Sequence, residues 1–127
     1  MKHYKHFILE ATAQNSSLYT DFNPSDFSRG LLMRTQHKLK KIIKRFYGKQ
    51  PVILTLSYNQ KFQTFTLQNA DEFSYRLYCF KGFEASLIRF CQVLDFLLEN
   101  PPNFSQEFPN LGAKIQQVFA MEICTWE

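Results

Sequence analysis

The sequence has no acidic side chain between Asp26 and Asp71, so His37 has no nearby carboxylate partner for acid–base catalysis. It also lacks a Gly-x-Ser-x-Gly turn, and its four glycines do not form a phosphate-binding loop. No other catalytic signature replaces these motifs. We therefore expect a non-enzymatic protein.

Cysteine is scarce and scattered. The chain has three cysteines, which lie far apart and form no Cys-x-x-Cys pair: Cys79, Cys91 and Cys124. This spacing argues against a disulfide framework and favours free cysteines in a reducing compartment. His3 and His6 would point to opposite faces of a strand, so they could not share a metal ion. We expect no metal or cofactor, and a cytoplasmic protein.

Long apolar runs are also missing. Phe7-Ile8-Leu9 is much shorter than the apolar core of a signal peptide. No stretch approaches the roughly 20 apolar residues that cross a bilayer. We therefore expect a soluble protein with no membrane partner. A chain of 127 residues without repeats or linkers predicts one domain, residues 1–127.

Positive charge is abundant, and it is unevenly distributed. Residues 1–70 carry 11 basic and 3 acidic side chains, a net charge of +8, whereas residues 71–127 carry 4 basic and 8 acidic ones, a net charge of −4. Seven of the 15 Lys and Arg residues lie in 34–49, which contains no acid. This distribution predicts attraction to a polyanion or to an acidic protein surface.

The basic segment has the pattern of an amphipathic helix over about residues 25–47. Asn23 or Ser25 would cap its start, and Gly48 would end it. On a helical wheel the apolar positions form one stripe and the basic positions form the opposite arc. Ordinary surface helices alternate charges of both signs, but here like charges recur four residues apart, which is mildly destabilising. Such a face favours an anionic partner.

The remaining elements predict an α+β fold in the order β-α-β-β-β-α-α. Strands are expected at 3–11, 52–58, 61–67 and 73–80, with a polar loop over 12–24 and a two-residue hairpin turn at Asn59-Gln60. Helices are expected at 83–99 and at about 110–119, while 121–126 fits a strand or a helical extension. We therefore expect a mainly antiparallel sheet of about four strands with helices on one face.

The functional prediction is a small nucleic-acid-binding protein that uses the basic helix, alone or as a subunit of a nucleoprotein assembly. DNA and RNA are not distinguished, and sequence preference should be weak. The residues predicted to contact phosphates are Arg34, Lys38, Lys40, Lys41, Lys44, Arg45 and Lys49. Aromatic residues on the strands are candidates for base stacking, namely Tyr58, Phe62 and Phe65.

The alternative is a protein–protein interaction or adaptor function. The basic face would dock an acidic protein, or the acidic half of one copy would bind the basic half of another in a homo-oligomer. Burial of residues 34–49 by the chain's own acidic half would argue against both functions.

Overall fold

A computed structural model describes residues 4–48, 51–69, 73–78, 82–100, 114–115 and 117–119. The fold is α+β, as predicted. Five strands and two long helices follow one another along the chain: β1 (His6–Ala11), β2 (Ser16–Thr20), α1 (Asp26–Tyr47), β3 (Leu54–Asn59), β4 (Thr64–Asn69), β5 (Phe73–Tyr78) and α2 (Phe83–Glu99).

The five strands form one antiparallel sheet in the order β2-β1-β3-β4-β5. β1 pairs with β2 on one side and with β3 on the other, so α1 connects two strands that flank β1. The register aligns Tyr19, Ile8, Ser57, Thr66 and Arg76 in one row across all five strands.

Alternate residues of the strands bury one face of the sheet against the helices. β1 shows the period-two pattern, since Phe7, Leu9 and Ala11 are fully buried while Ile8 and Glu10 are exposed. Rings from three strands and from the first half of α2 meet in this core, with centroid separations of 5.1–6.1 Å among Phe7, Tyr58, Phe65, Phe83 and Phe90.

The boundaries of α1 follow from its capping residues. The Ser25 hydroxyl accepts a hydrogen bond from the backbone N–H of Ser28 at 3.2 Å, which makes Ser25 the N-cap. Gly48 has a φ of +61°, and its N–H donates to the carbonyl of Lys44 at 3.2 Å. The predicted helix of about 25–47 is confirmed.

α1 and α2 lie side by side and run parallel. Three contacts join them in the same order along both helices. The Ser28 hydroxyl donates to Glu84 at 3.1 Å, Thr35 Oγ1 contacts Cys91 Sγ at 3.2 Å, and Lys38 pairs with Asp95. The partners are separated by 56, 56 and 57 residues. Three antiparallel strands between the helices produce this parallel arrangement.

The structure corrects two sequence predictions about the sheet. Residues 16–20 form β2 within the segment that was predicted to be a loop. In this edge strand only Leu18 packs against the core, so the apolar signal is weak. The turn between β3 and β4 also has four residues, 60–63, because Asn59 Oδ1 accepts from the N–H of Lys61 and Gln63 takes a φ of +50°.

The described part of the C-terminal region is helical. Residues 114–115 and 117–119 have helical conformation, and Ile115, Val118 and Phe119 join the core. This agrees with the helix predicted at about 110–119, whose first residues lie outside the described ranges. The region 121–126, which fitted either a strand or a helix, also lies outside them.

We expect iodoacetamide to modify Cys91 slowly in the folded protein. The Cys91 side chain lies between α1 and α2 and is only 6% exposed. This burial raises the pKa of its thiol, although the Thr35 contact and the charge of nearby Lys38 act in the opposite direction. Little reactive thiolate should therefore form near pH 8. Peptide-resolved mass spectrometry should give a rate at least about tenfold lower than in the denatured chain. Equal rates would contradict this packing.

Candidate nucleic-acid interface

The exposed arc of α1 carries the predicted basic face. Arg34, Lys41, Lys44 and Arg45 are exposed, and Lys40 is half-buried. Within the described residues, no carboxylate forms an ion pair with any of these five cations. α1 buries the opposite stripe, which contains Leu31, Leu32, Thr35, Leu39, Ile42 and Ile43. We call the five cations the basic row.

Lys38 differs from the other predicted phosphate contacts. Its ammonium group pairs with the Asp95 carboxylate of α2, and its side chain is only 19% exposed. The chain's own acidic half therefore neutralises one charge of the basic helix. Lys49, the last predicted contact, lies outside the described residues.

A shallow depression of about 540 Å³ lies at the N-terminal end of the basic row, between α1 and the edge strand β2. Gly30 of α1 and Ser16 of β2 line it, and Gln36 donates a hydrogen bond to the Ser16 hydroxyl at 3.3 Å. Arg34 and Lys40 line the same depression. The sequence did not predict this feature, because Ser16 lies in the strand that was mistaken for a loop.

Two of the three predicted stacking residues are buried. Phe65 is 0% exposed and Tyr58 is 2% exposed, because both point to the helix-covered face of the sheet. Phe65 makes edge-to-face contacts with Tyr58 and Phe7, and Tyr58 stacks on Phe7, so both rings are enclosed in the core and, contrary to the prediction, are not available to stack on bases. Phe62 lies in the β3–β4 turn with 64% of its surface exposed, and Lys61 Nζ sits 5.7 Å from its ring centroid.

Phe62 is also distant from the basic row. The β3–β4 turn lies at the end of the sheet where α1 begins, because His6 pairs with Asn59 and the N–H of Asp21 donates to the carbonyl of His6. From Asp26 to Arg45 the helix rises roughly 28 Å. Phe62 and the distal cations therefore belong to different surfaces.

The part of the chain that the structure describes contains neither a metal-binding cluster nor a membrane-spanning helix. No group of three or more His, Cys, Asp or Glu side chains there is arranged to hold a metal ion. None of its helices combines the length and hydrophobicity needed to cross a bilayer.

Comparison of the chain with protein-family models, with curated proteins and with solved structures finds no match. The residues and their geometry must therefore support any functional assignment by themselves.

The two phenylalanines of the β3–β4 hairpin should respond very differently to truncation. Phe65→Ala removes a fully buried ring, so we expect a loss of about 3–5 kcal/mol of unfolding free energy. Phe62→Ala removes an exposed ring of the same size, and we expect a change within about 0.5 kcal/mol. Urea denaturation measures both variants. Similar losses would show that the assigned burial of the two rings is incorrect.

Proposed function

We propose that this protein binds nucleic acid through the basic row of α1. The observation that carries the proposal is the set of five cations, Arg34, Lys40, Lys41, Lys44 and Arg45, that share one helix surface and have no carboxylate partner among the described residues. Such a cluster supplies the phosphate attraction that dominates nucleic-acid affinity. Its position on a rigid, doubly capped helix fixes the spacing of the charges.

The length of the basic row suits a phosphate backbone. Arg45 lies eleven positions after Arg34, which corresponds to a rise of roughly 16 Å along the helix. One strand of B-DNA places a phosphate about every 3.4 Å along its axis, so the row faces about five phosphates. The number of cations equals that number of phosphates.

The chemistry of the row predicts weak sequence preference. Three of its five cations are lysines, which act as point charges, whereas base-specific readout relies on forked groups such as arginine in a groove. We infer backbone recognition without a sequence code, consistent with a stand-alone cytoplasmic protein or with a subunit of a nucleoprotein assembly.

Binding to duplex DNA should depend steeply on salt. If five phosphates are neutralised, the logarithm of the binding constant should fall with the logarithm of the salt concentration at a slope of about −4 to −5. Replacing Lys41, Lys44 and Arg45 together by Gln should reduce the slope by about 2 to 3 units. Thermal stability should change little, because all three side chains are exposed. Fluorescence anisotropy with a labelled duplex measures the slope.

A control variant also replaces two lysines and one arginine by Gln, at Arg29, Lys61 and Lys114. It removes the same number of Lys and Arg charges but leaves the basic row intact, so the slope should stay nearly unchanged. Equal losses from both triple variants would indicate diffuse attraction to a basic protein and would contradict a localised site.

Single substitutions on the same helix provide a finer test. Lys41→Gln removes an exposed member of the basic row and should reduce the slope by about 0.9. Lys38→Gln removes a charge already neutralised by Asp95, so its slope should remain close to that of the wild type. A reversed order of the two effects would mean that Lys38 leaves Asp95 to bind phosphate.

An acidic protein surface is the second candidate partner. Met33 is 61% exposed and lines the depression beside Arg34, and Phe27 is 55% exposed on the same helix. Exposed apolar side chains among cations suit a protein surface better than a sugar–phosphate backbone. DNA and RNA binding too weak to measure at about 50 mM salt would favour this partner over nucleic acid.

A further inference from the structure

The face of the sheet that points away from α1 and α2 contains a second candidate site. Its described side chains are all half-buried or exposed, in contrast to the closed core on the other face. A groove of about 500 Å³ lies there, at the end of the sheet near the β3–β4 turn. Four strands supply its polar lining, which includes His6, Ser57, Asn59, Thr64, Thr66 and Arg76.

The register places these residues opposite one another. Ser57, Thr66 and Arg76 are neighbours in one cross-strand row, and His6, Asn59 and Thr64 are neighbours in the next row. Three strand spacings separate β1 from β5, so the groove is roughly 14 Å wide at the backbone. An edge-on contact with Tyr19, at 6.5 Å between ring centroids, supports the His6 imidazole on one side.

The lining has the composition of an anion site. It combines a guanidinium group, an imidazole, three hydroxyls and an amide, and none of the described lining residues is acidic. The Asp21 carboxylate accepts a hydrogen bond from the backbone N–H of His6 at 2.8 Å, on the β1 side of the groove and three strand spacings from the β5 residue Arg76. Glu10, on the same face of β1, lies four residues from His6, roughly 13 Å along the strand. A solvated sheet face is normally polar, but it does not require a concave surface whose described lining residues are rich in donors and include no acid.

An exposed aromatic ring borders the same groove. Phe62 lines its end next to the turn, and Lys61 holds a positive charge over that ring. A ring that is 64% exposed beside donor groups suits a ligand that carries both a planar heterocycle and an anion. The volume of about 500 Å³ also lies within the usual range for small-molecule sites.

We propose that this groove binds a nucleoside monophosphate, with the base stacked on Phe62 and the phosphate held by Arg76 and the adjacent hydroxyls of Ser57 and Thr66. This binding site is separate from the basic row, since the two lie on opposite sides of the sheet. It does not depend on the proposed interaction of α1 with nucleic acid.

Titration of the ¹⁵N-labelled full chain with adenosine monophosphate tests the proposal by NMR. Amide shifts should concentrate at Ser57, Thr66 and Arg76, with saturation at millimolar ligand. Adenosine and inorganic phosphate, titrated separately, should each bind at least about tenfold more weakly than the nucleotide, because each makes only part of the contacts. Shifts confined to α1, or no shifts at about 10 mM nucleotide, would overturn the proposal.

Three variants locate the contacts. Phe62→Ala should weaken nucleotide binding about tenfold and leave phosphate binding unchanged, and because Phe62 is exposed in a turn this variant should fold. Arg76→Gln should weaken binding of both ligands about tenfold. The matched control Lys41→Gln removes one charge from α1 and should have no effect.

Equal losses from Lys41→Gln and Arg76→Gln would overturn the groove as the site. The triple variant at Lys41, Lys44 and Arg45 separates the two proposals. If the groove is a distinct site, this variant binds the nucleotide normally whether or not the wild-type protein binds DNA.

Discussion

The parallel packing of α1 against α2 determines which part of the basic helix reaches solvent. Because α2 occupies one flank of α1 and the sheet lies beneath both, only the arc that contains the basic row remains exposed. The three polar contacts along the two helices fix their relative rotation, and the last of them, from Lys38 to Asp95, removes one cation from the surface. A different rotation of α1 would bury charges and expose the Leu39 stripe, which would cost far more than the contacts gain.

This packing also divides the molecule into two chemically different surfaces. The helix layer covers one face of the sheet with aromatic and aliphatic side chains, and the cations of the basic row lie on the outer side of that layer. The other face keeps alternate polar residues, including Ser57 and Thr66. A ligand held by the basic row would need to extend around the sheet to reach Phe62. If both proposals hold, the two surfaces therefore bind separate ligands, or separate parts of one long ligand.

The sequence was a good guide to the helices and a weaker guide to the sheet. α1 and α2 were predictable because their apolar stripes are local patterns, and α1 also has the capping residues Ser25 and Gly48. β2 was missed because only Leu18 faces the core, and its structure depends on pairing with β1. The predicted β3–β4 turn was also too short, which placed Phe62 in the same strand as Phe65. The exposed ring could therefore not be distinguished from the buried one. The polar groove was invisible in the sequence because its residues are spread from His6 to Arg76 and only strand register brings them together.

The stability of α1 does not require its positive charges. Each like-charge pair four residues apart, such as Lys40–Lys44 or Lys41–Arg45, costs only a few tenths of a kcal/mol. Burial of each large apolar residue of the stripe contributes about 1.5–3 kcal/mol, and five such residues are buried to at least 98%. Packing thus offsets the repulsion severalfold. Because the fold tolerates these charges without needing them, their loss should alter what the surface attracts and leave the structure intact.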